Sequence, residues 1–506
     1  MTAVDPAAGE RRRDRRAAAL VAVAALLVYN ANGRVIASSD TRAARFLPFA
    51  LLEAGTLRLD PVLDAAQTSR RAYWVQPARG GGHASLFPIV APLLATPLYV
   101  PAAILLARQG WPSAGVAAAA SFMEKLAASC IAAAAAGSMY LLLRRRMRPA
   151  RALGLSAAFA LGTETWMIGS QALWQHGTEE LLLTLALLAL TGPLTPARLA
   201  LGGAACGLAI AGRPIDALLV APFALLAPAW AGRRAAWFFA GAAVPLVLAL
   251  AYNLAMFGLP GGGYELFIQE GRRYFEEPMT SGLAGMLFGT DKGLFIYTPF
   301  LLFLPVYLRR ALRRNPDAAA PALPPAPPHA VLPPAPPDAA LPAAPLDAAL
   351  PPSPTDVALP PAPPTTGRPP ALPHGGHLAA VRGFLSDRDR ALAALLLVAI
   401  AAQLLVYSRS EWRGGSCYGP RYLTDILPLL TWMLAPVVES LGALALGIFR
   451  IAVLFSIAVQ AVGAFCYPRG ASDLRIEAEH SRLPAYLIEA PAGIVTPGWL
   501  EALRGR

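Results

Sequence analysis

Three kinds of polar side chain recur in the loops of this sequence, and together they could transfer a group from a phosphate to a hydroxyl. A carboxylate can act as a general base, and arginine or lysine can bind a phosphate. Asp40 is the first acidic residue after the first apolar run, and Arg42 follows it closely. The candidate catalytic residues are Asp40, His176 and Glu179.

Cations and aromatic side chains accompany these candidates in the same loops. The candidate phosphate ligands are Arg42, Lys292, Arg413 and Arg421. The candidate sugar- or acceptor-binding residues are Tyr73, Trp174, Trp412 and Tyr418. The alternative is that Trp, Tyr and Arg are ordinary anchors at a membrane interface. That alternative explains Glu179 less well, because a charge at the start of an apolar span is costly.

Several of these residues have a second interpretation. His176 is either functional or only hydrogen-bonded at the interface, and Asp291 and Lys292 either pair or act separately. Arg213 and Asp216 flank Pro214 at a tight turn, where we expect them to pair with each other, although the GRPID segment could instead contact a phosphate. The glycine triplets at 80–82 and 261–263 lack the Lys-Ser/Thr and the helix start of a phosphate-binding loop.

The composition predicts a polytopic integral membrane protein of the all-α class. Of 506 residues, 56% are hydrophobic and 15% are charged, and the mean hydropathy is +0.48, too apolar to cover the surface of a soluble protein. The net charge of +12 comes from arginines that flank apolar runs, so we exclude nucleic-acid binding. None of the four cysteines forms a CxxC pair, which argues against a zinc site, and a disulfide between Cys417 and Cys466 is one alternative.

About eleven membrane spans are predicted from runs of apolar residues. Arginines before the first span place the N-terminus in the cytoplasm and Asp40 just outside the membrane. The predicted spans are 17–36, 119–142, 152–169, 178–192, 198–212, 215–230, 235–257, 294–308, 391–407, 422–438 and 447–466.

The segment 85–107 decides the topology. It is apolar and long enough to span, but four prolines would interrupt a straight helix. If it spans, the arginines at 144–151 lie outside, against the positive-inside rule. We therefore expect an interfacial or re-entrant segment, which leaves 37–118 as one large external loop.

Four regions follow from this topology. Residues 1–314 form an N-terminal membrane domain with the external catalytic loop, and 376–466 form C-terminal transmembrane helices. Between them, 315–375 repeats a proline-rich unit of the type ALPPAPPHA and is predicted to be a disordered cytoplasmic linker. Residues 467–506 form an external tail.

Several segments resemble membrane glycosyltransferases of the GT-C superfamily, more narrowly the bacterial relatives of protein O-mannosyltransferases and the aminoarabinose transferases. They are the Asp40-Thr-Arg turn, YWVQPARGGGHASLFPIVAPLLATPLY, SQALWQHGTEELLL, GLAIAGRPIDALL, YNLAMFGLPGGGY, DKGLFIYTPFLL and WRGGSCYGPRYLTDILPLL.

The resemblance implies many membrane helices, an extracytoplasmic active site, a polyprenyl-phosphate sugar as donor, and Asp40 as the first-loop acid. Thr41 stands where relatives often have a second acid, and Leu86 and Phe87 precede Pro88 where many have a lysine. Relatives often carry another acid in the second loop, for which His176, Glu179 or Glu180 could substitute here. These departures leave the acceptor and any divalent metal open.

The sequence therefore predicts a glycosyltransferase of the bacterial inner membrane that acts on an external lipid, glycan or protein. Two alternatives are a membrane transporter or flippase and a ligase that moves a whole lipid-linked glycan. A transporter would often show inverted repeats, and the sequence has none that we recognise.

Overall fold

The computed structural model describes residues 6–64, 73–269, 275, 277–290, 292–306, 388–415 and 417–467. This part of the chain is almost entirely helical, with one small antiparallel hairpin of β1 (Val75–Pro77) and β2 (His83–Ser85), in which Gln76 pairs with Ala84. The helices are α1 (Pro6–Asn30), α2 (Arg42–Ala54), α3 (Val90–Arg108), α4 (Ser113–Leu143), α5 (Pro149–Leu161), α6 (Gln175–Leu190), α7 (Pro196–Gly212), α8 (Ala217–Ala231), α9 (Ala236–Phe257), α10 (Gly262–Gln269), α11 (Met279–Phe288), α12 (Leu294–Tyr297), α13 (Arg388–Ser408), α14 (Leu427–Ser440) and α15 (Ala443–Cys466).

Most helices coincide with predicted apolar runs, and local signals explain where they begin and end. Pro196 occupies the first turn of α7, and the Thr195 hydroxyl caps it by accepting the backbone N–H of Arg198. Gly258 ends α9 in the left-handed conformation, with φ +72°. The all-α fold class is therefore confirmed for the described residues.

Five helical stretches are long and apolar enough to cross a membrane within the described ranges. The count of eleven spans stays a prediction, because several other apolar helices are shorter than this criterion requires. The five stretches are Val90–Arg108, Ser113–Leu143, Pro214–Phe257, Arg388–Ser408 and Ala443–Cys466.

Ion pairs gather several helix ends at one end of the molecule, which we call the arginine face. Arg144, just after α4, pairs with Asp14 of α1 at 2.8 Å and with Glu10 at 3.0 Å. Arg148 pairs with Glu439 near the end of α14 at 2.7 Å. Because α1 begins and α4 ends on this face, residues 31–112 leave and return at the opposite end. We call that opposite end the site face; its side of the membrane stays a prediction.

The prolines do not break α3, contrary to our expectation for the segment 85–107. The helix continues through Pro97 and Pro101 from Val90 to Arg108. Each proline removes one backbone donor, but Tyr99 is fully buried and belongs to the same apolar cluster as residues of α2 and α4. Tertiary packing therefore outweighs the local cost of the prolines.

Helices α7 and α9 touch through glycines. A Cβ at Gly203 would lie 1.9 Å from the Phe238 carbonyl oxygen, and one at Gly241 would lie 2.1 Å from the Ala200 oxygen. Only a residue without a side chain allows this approach of two backbones. The contact fixes the end of α7, which leads directly into Arg213.

Of the remaining predictions, two fall on residues outside the described ranges and one is wrong. The proline-rich segment 315–375 and the tail beyond Tyr467 lie outside the described residues. The alternative of a Cys417–Cys466 disulfide is wrong, because both cysteines are free. The Cys417 Sγ instead lies 3.3 Å from the Lys292 Nζ.

Candidate active site

Asp40 lies in a single 3-10 turn, Ser39–Thr41, directly before α2. The Ser38 hydroxyl accepts the backbone N–H of Asp40 at 3.1 Å, and the Thr41 hydroxyl donates to the Ser38 carbonyl at 3.1 Å. These bonds close the turn at both of its ends. The carboxyl group of Asp40 is thereby presented from a fixed backbone at the site face.

Both carboxylate oxygens of Asp40 have partners. Arg421 Nη1 donates to Oδ2 at 2.8 Å, and the Tyr73 hydroxyl donates to Oδ1. The Asp40 side chain keeps 28% exposure, so a substrate can reach it. Burial alone would lower the pKa of Arg421, but the adjacent Asp40 carboxylate raises that pKa above its ordinary value, and Arg421 stays charged.

The Arg421 guanidinium makes cation–π contacts with two aromatic rings. Its Cζ lies 4.5 Å from the centroid of the Trp174 ring and 5.3 Å from that of Tyr422. Cation–π contacts of this kind contribute about 0.5–2 kcal/mol, more where water is excluded. Four of the predicted site residues therefore meet at one point: Asp40, Tyr73, Trp174 and Arg421.

His176 lies just behind this point and is buried, with both ring nitrogens occupied. Arg213 Nη1 donates to Nε2 at 3.2 Å, so Nδ1 carries the proton and donates to Asp425 Oδ1 at 2.8 Å. Burial and Arg213 lower the pKa of His176 to about 4, although Asp425 opposes them. Both ring nitrogens are thus engaged with protein side chains, and a catalytic role for His176 stays a prediction.

Arg213 forms an ion pair with Asp425, and not with Asp216 as expected. Arg213 Nε pairs with Asp425 Oδ2 at 2.8 Å, while Asp216 accepts from the Gln403 amide at 3.1 Å. Arg213 also donates to the Tyr407 hydroxyl. The sequence places Asp216 nearer in the chain, but folding brings α14 and its preceding turn against the end of α7.

The Tyr407 ring connects this buried network to Arg421. It stacks on Tyr422 with centroids 4.7 Å apart and planes 10° apart, and Tyr422 in turn faces Arg421. Arg213 and Asp425 therefore influence the orientation of Arg421 indirectly, through Tyr407 and Tyr422.

Glu179 is fully buried in α6 and lies against Gly212, where an added Cβ would be 2.1 Å from its Oε1. Neither of its oxygens has a hydrogen-bond partner among the described residues. Glu180 accepts from the Thr165 hydroxyl at 2.6 Å. Neither glutamate is brought to Asp40, so the second acid expected from α6 is not in contact with the first.

Lys292 and Tyr418 fasten the loop that carries Arg421. The Lys292 Nζ donates to the carbonyl of Cys417 and lies 3.4 Å from that of Gly415. The Tyr418 hydroxyl donates to the Val459 carbonyl at 2.6 Å. In this arrangement both side chains bind backbone carbonyls, and the predicted phosphate and sugar contacts stay predictions. Asp291 lies outside the described residues.

The three remaining candidates are Trp412, Arg413 and Arg42. Trp412 covers Gly285, where a Cβ would lie 2.1 Å from its ring, and the Arg413 Cζ is 4.4 Å from the Trp412 ring centroid. Arg42 is exposed at the start of α2. The cation that meets Asp40 is thus Arg421, which is distant in sequence, and not its neighbour Arg42.

Some buried acids near the site were not predicted from the sequence, among them Glu124 and Asp425. Glu124 lies inside α4 and Asp425 lies just before α14, each with no exposed surface. Each lies inside a predicted span, and an ionisable residue in such a run is the signal that could have identified it. No group of three or more His, Cys, Asp or Glu side chains that could hold a metal ion occurs among the residues described.

Two solved structures are similar to this chain. Both are crystal structures of ArnT from Cupriavidus metallidurans, one bound to undecaprenyl phosphate and one in the apo state. The first has 13% identity and a TM-score of 0.44, covering 93% of this chain and 69% of ArnT. The second has 12% identity and a TM-score of 0.42, covering 97% and 76%.

ArnT is an aminoarabinose transferase, one of the families that the sequence motifs resemble. No protein-family model matches the chain, and no curated protein matches it. At this level of similarity we carry no residue over from ArnT.

Proposed function

We propose that this protein is a membrane glycosyltransferase that moves a sugar from a polyprenyl phosphate to an acceptor outside the cytoplasm. The contact between Asp40 and Arg421, completed by Tyr73, carries the proposal. It places an accessible carboxylate against a charged guanidinium at the site face, beneath a ring of Trp174. The sequence motifs around Asp40 and Arg421 support the same reaction class.

Asp40 would act as the general base in this reaction. It takes the proton of the acceptor hydroxyl while that oxygen forms a bond to the anomeric carbon of the sugar. The bond between the anomeric carbon and the phosphate oxygen breaks, and the lipid phosphate leaves with the electron pair. Arg421 stabilises the charge that grows on this leaving group.

The present partners of Asp40 suggest how donor binding prepares the base. A carboxylate paired with arginine is a weak base, because the cation favours the charged form. A donor phosphate competes for the same guanidinium, and a bidentate arginine–phosphate contact is strong. Binding of the donor would therefore loosen Arg421 from Asp40 and free the carboxylate for the acceptor.

A transfer assay with the full chain in proteoliposomes tests the proposal. The donors are undecaprenyl phosphates that each carry one sugar, and the acceptors are a lipid A, a polysaccharide and a protein. We expect one donor to lose its sugar to an acceptor and to leave undecaprenyl phosphate.

Two results would contradict the proposal. If the donor crosses the bilayer with its sugar still attached, the protein is a flippase. If single-sugar donors are all inert while a lipid-linked glycan is transferred whole, the protein is a ligase.

A further inference from the structure

Glu124 is a buried acid without an assigned role. It lies in α4, among apolar residues, with no exposed surface. Neither carboxylate oxygen has a hydrogen-bond partner of ordinary geometry among the described residues. An isolated buried carboxylate is costly, so a group nearby must compensate for it.

Arg45 of α2 is the cation that faces Glu124. Its Nη1 lies 3.6 Å from Glu124 Oε2, and its own side chain keeps 19% exposure. The guanidinium also lies 5.1 Å from the centroid of the Phe46 ring. Arg45 is therefore held between an aromatic ring and a buried acid, on the helix that begins directly after Asp40.

Glu124 lies close to the segment that carries Asp40 and to the segment that carries Trp174. Thr41, which follows Asp40, and the backbone of Leu173, which precedes Trp174, face its carboxyl group. Tyr99 of α3 is near enough for the Glu124 carboxyl group to influence it electrostatically. Glu124 thus lies against the residue that follows Asp40 and the residue that precedes Trp174.

We propose that Glu124 is the second acidic group of this centre and acts as a positioning residue that keeps the Arg45 charge away from Asp40. The inference rests on the proposed function. Asp40 already has one arginine partner, and a second arginine would make it a still weaker base.

A double-mutant cycle tests this role in the full chain, with kcat and KM measured for the same donor. In Glu124→Gln we expect kcat to fall on the order of tenfold while KM for the donor stays within about twofold, since only the base is affected. Adding Arg45→Gln should restore most of the lost kcat, because the released charge is then absent. Glu53→Gln removes an exposed carboxylate from α2 and should change neither constant.

Different results would contradict the role of Glu124 and the proposed function. If wild type is active and the double variant is no better than Glu124→Gln, Glu124 does not act through Arg45 and the inference is wrong. If wild type transfers no sugar from any donor, the proposed function fails. Thermal unfolding of wild type, the two single variants and the double variant then still measures the coupling of Glu124 with Arg45, and a coupling of zero would refute the inference on its own.

Discussion

The carboxylate of Asp40 and the guanidinium of Arg421 come from positions 381 residues apart in the chain. Residue types and local spacing were enough to predict Asp40, Tyr73, Trp174 and Arg421 as separate candidates. They could not predict which cation meets Asp40, because Arg42 is nearer in sequence but exposed. Contacts between distant segments depend on packing, which one sequence does not reveal.

His176 shows the same limit for a single residue. Its position in a polar loop beside Trp174 indicated a catalytic group, but its two nitrogens are bound by Arg213 and Asp425. The two partners lie 37 and 249 residues away in the chain. These contacts with distant segments were not foreseeable from the loop sequence, and the catalytic role of His176 stays a prediction.

The pKa of His176 predicts how stability depends on pH. It is lowered to about 4 in the folded protein, against about 6.5 for an ordinary histidine. Between these values the unfolded chain binds a proton that the folded chain does not, so stability falls as pH drops from about 6.5 to 4. Thermal unfolding in detergent between pH 7.5 and pH 4.5 measures this loss.

The variant His176→Gln should lose less stability than wild type over that interval, because glutamine takes up no proton. Wild type and variant with the same dependence on pH would show that another group causes it. Above about pH 6.5 the two proteins should respond to pH alike.

Among the elements, the helices were the most predictable part of this fold. The predicted run 235–257 is α9, and the predicted run 391–407 is α13 with three further residues before it and one after it. Asp40 and Arg421 instead lie in short 3-10 turns, Ser39–Thr41 and Arg421–Leu423. Hydrophobic periodicity does not indicate such turns, since they are set by caps and by contacts with other elements.

The glycine contact of α7 with α9 leads to a prediction about these elements. Gly203→Ala would place a Cβ 1.9 Å from the Phe238 carbonyl oxygen, so the two helices must move apart. Overpacking of this kind costs about 1–3 kcal/mol. We expect a lower melting temperature and, because α7 leads into Arg213, a lower rate of transfer.

Gly154→Ala is the matched control, because a Cβ added at this position of α5 would have no atom within 4 Å beyond its chain neighbours and its own helix backbone. Alanine favours a helix over glycine by about 1 kcal/mol, so this variant should be as stable as wild type or more so. Equal melting temperatures for the Gly203 and Gly154 variants would contradict the close contact.

At the scale of the whole molecule, the two ends of the structure carry different sets of ion pairs. The arginine face collects Arg144 and Arg148 with the acids that pair with them, and the site face carries Asp40 and Arg421. Because α1 and α4 run in opposite directions, residues 31–112 start and end at the site face, and the external loop 37–118 stays a prediction. The positive-inside rule then assigns the arginine face to the cytoplasm, which stays a prediction.

The most direct test of the central claim compares Asp40→Asn with wild type in two measurements on proteoliposomes. One is binding of undecaprenyl phosphate, and the other is transfer of a sugar from its glycosylated form. Asparagine keeps the shape of the side chain but cannot accept a proton, so we expect lipid binding to remain, since Arg421 stays available. Transfer should fall by about 100-fold or more. A variant that binds the lipid and transfers sugar at the wild-type rate would contradict the role of Asp40.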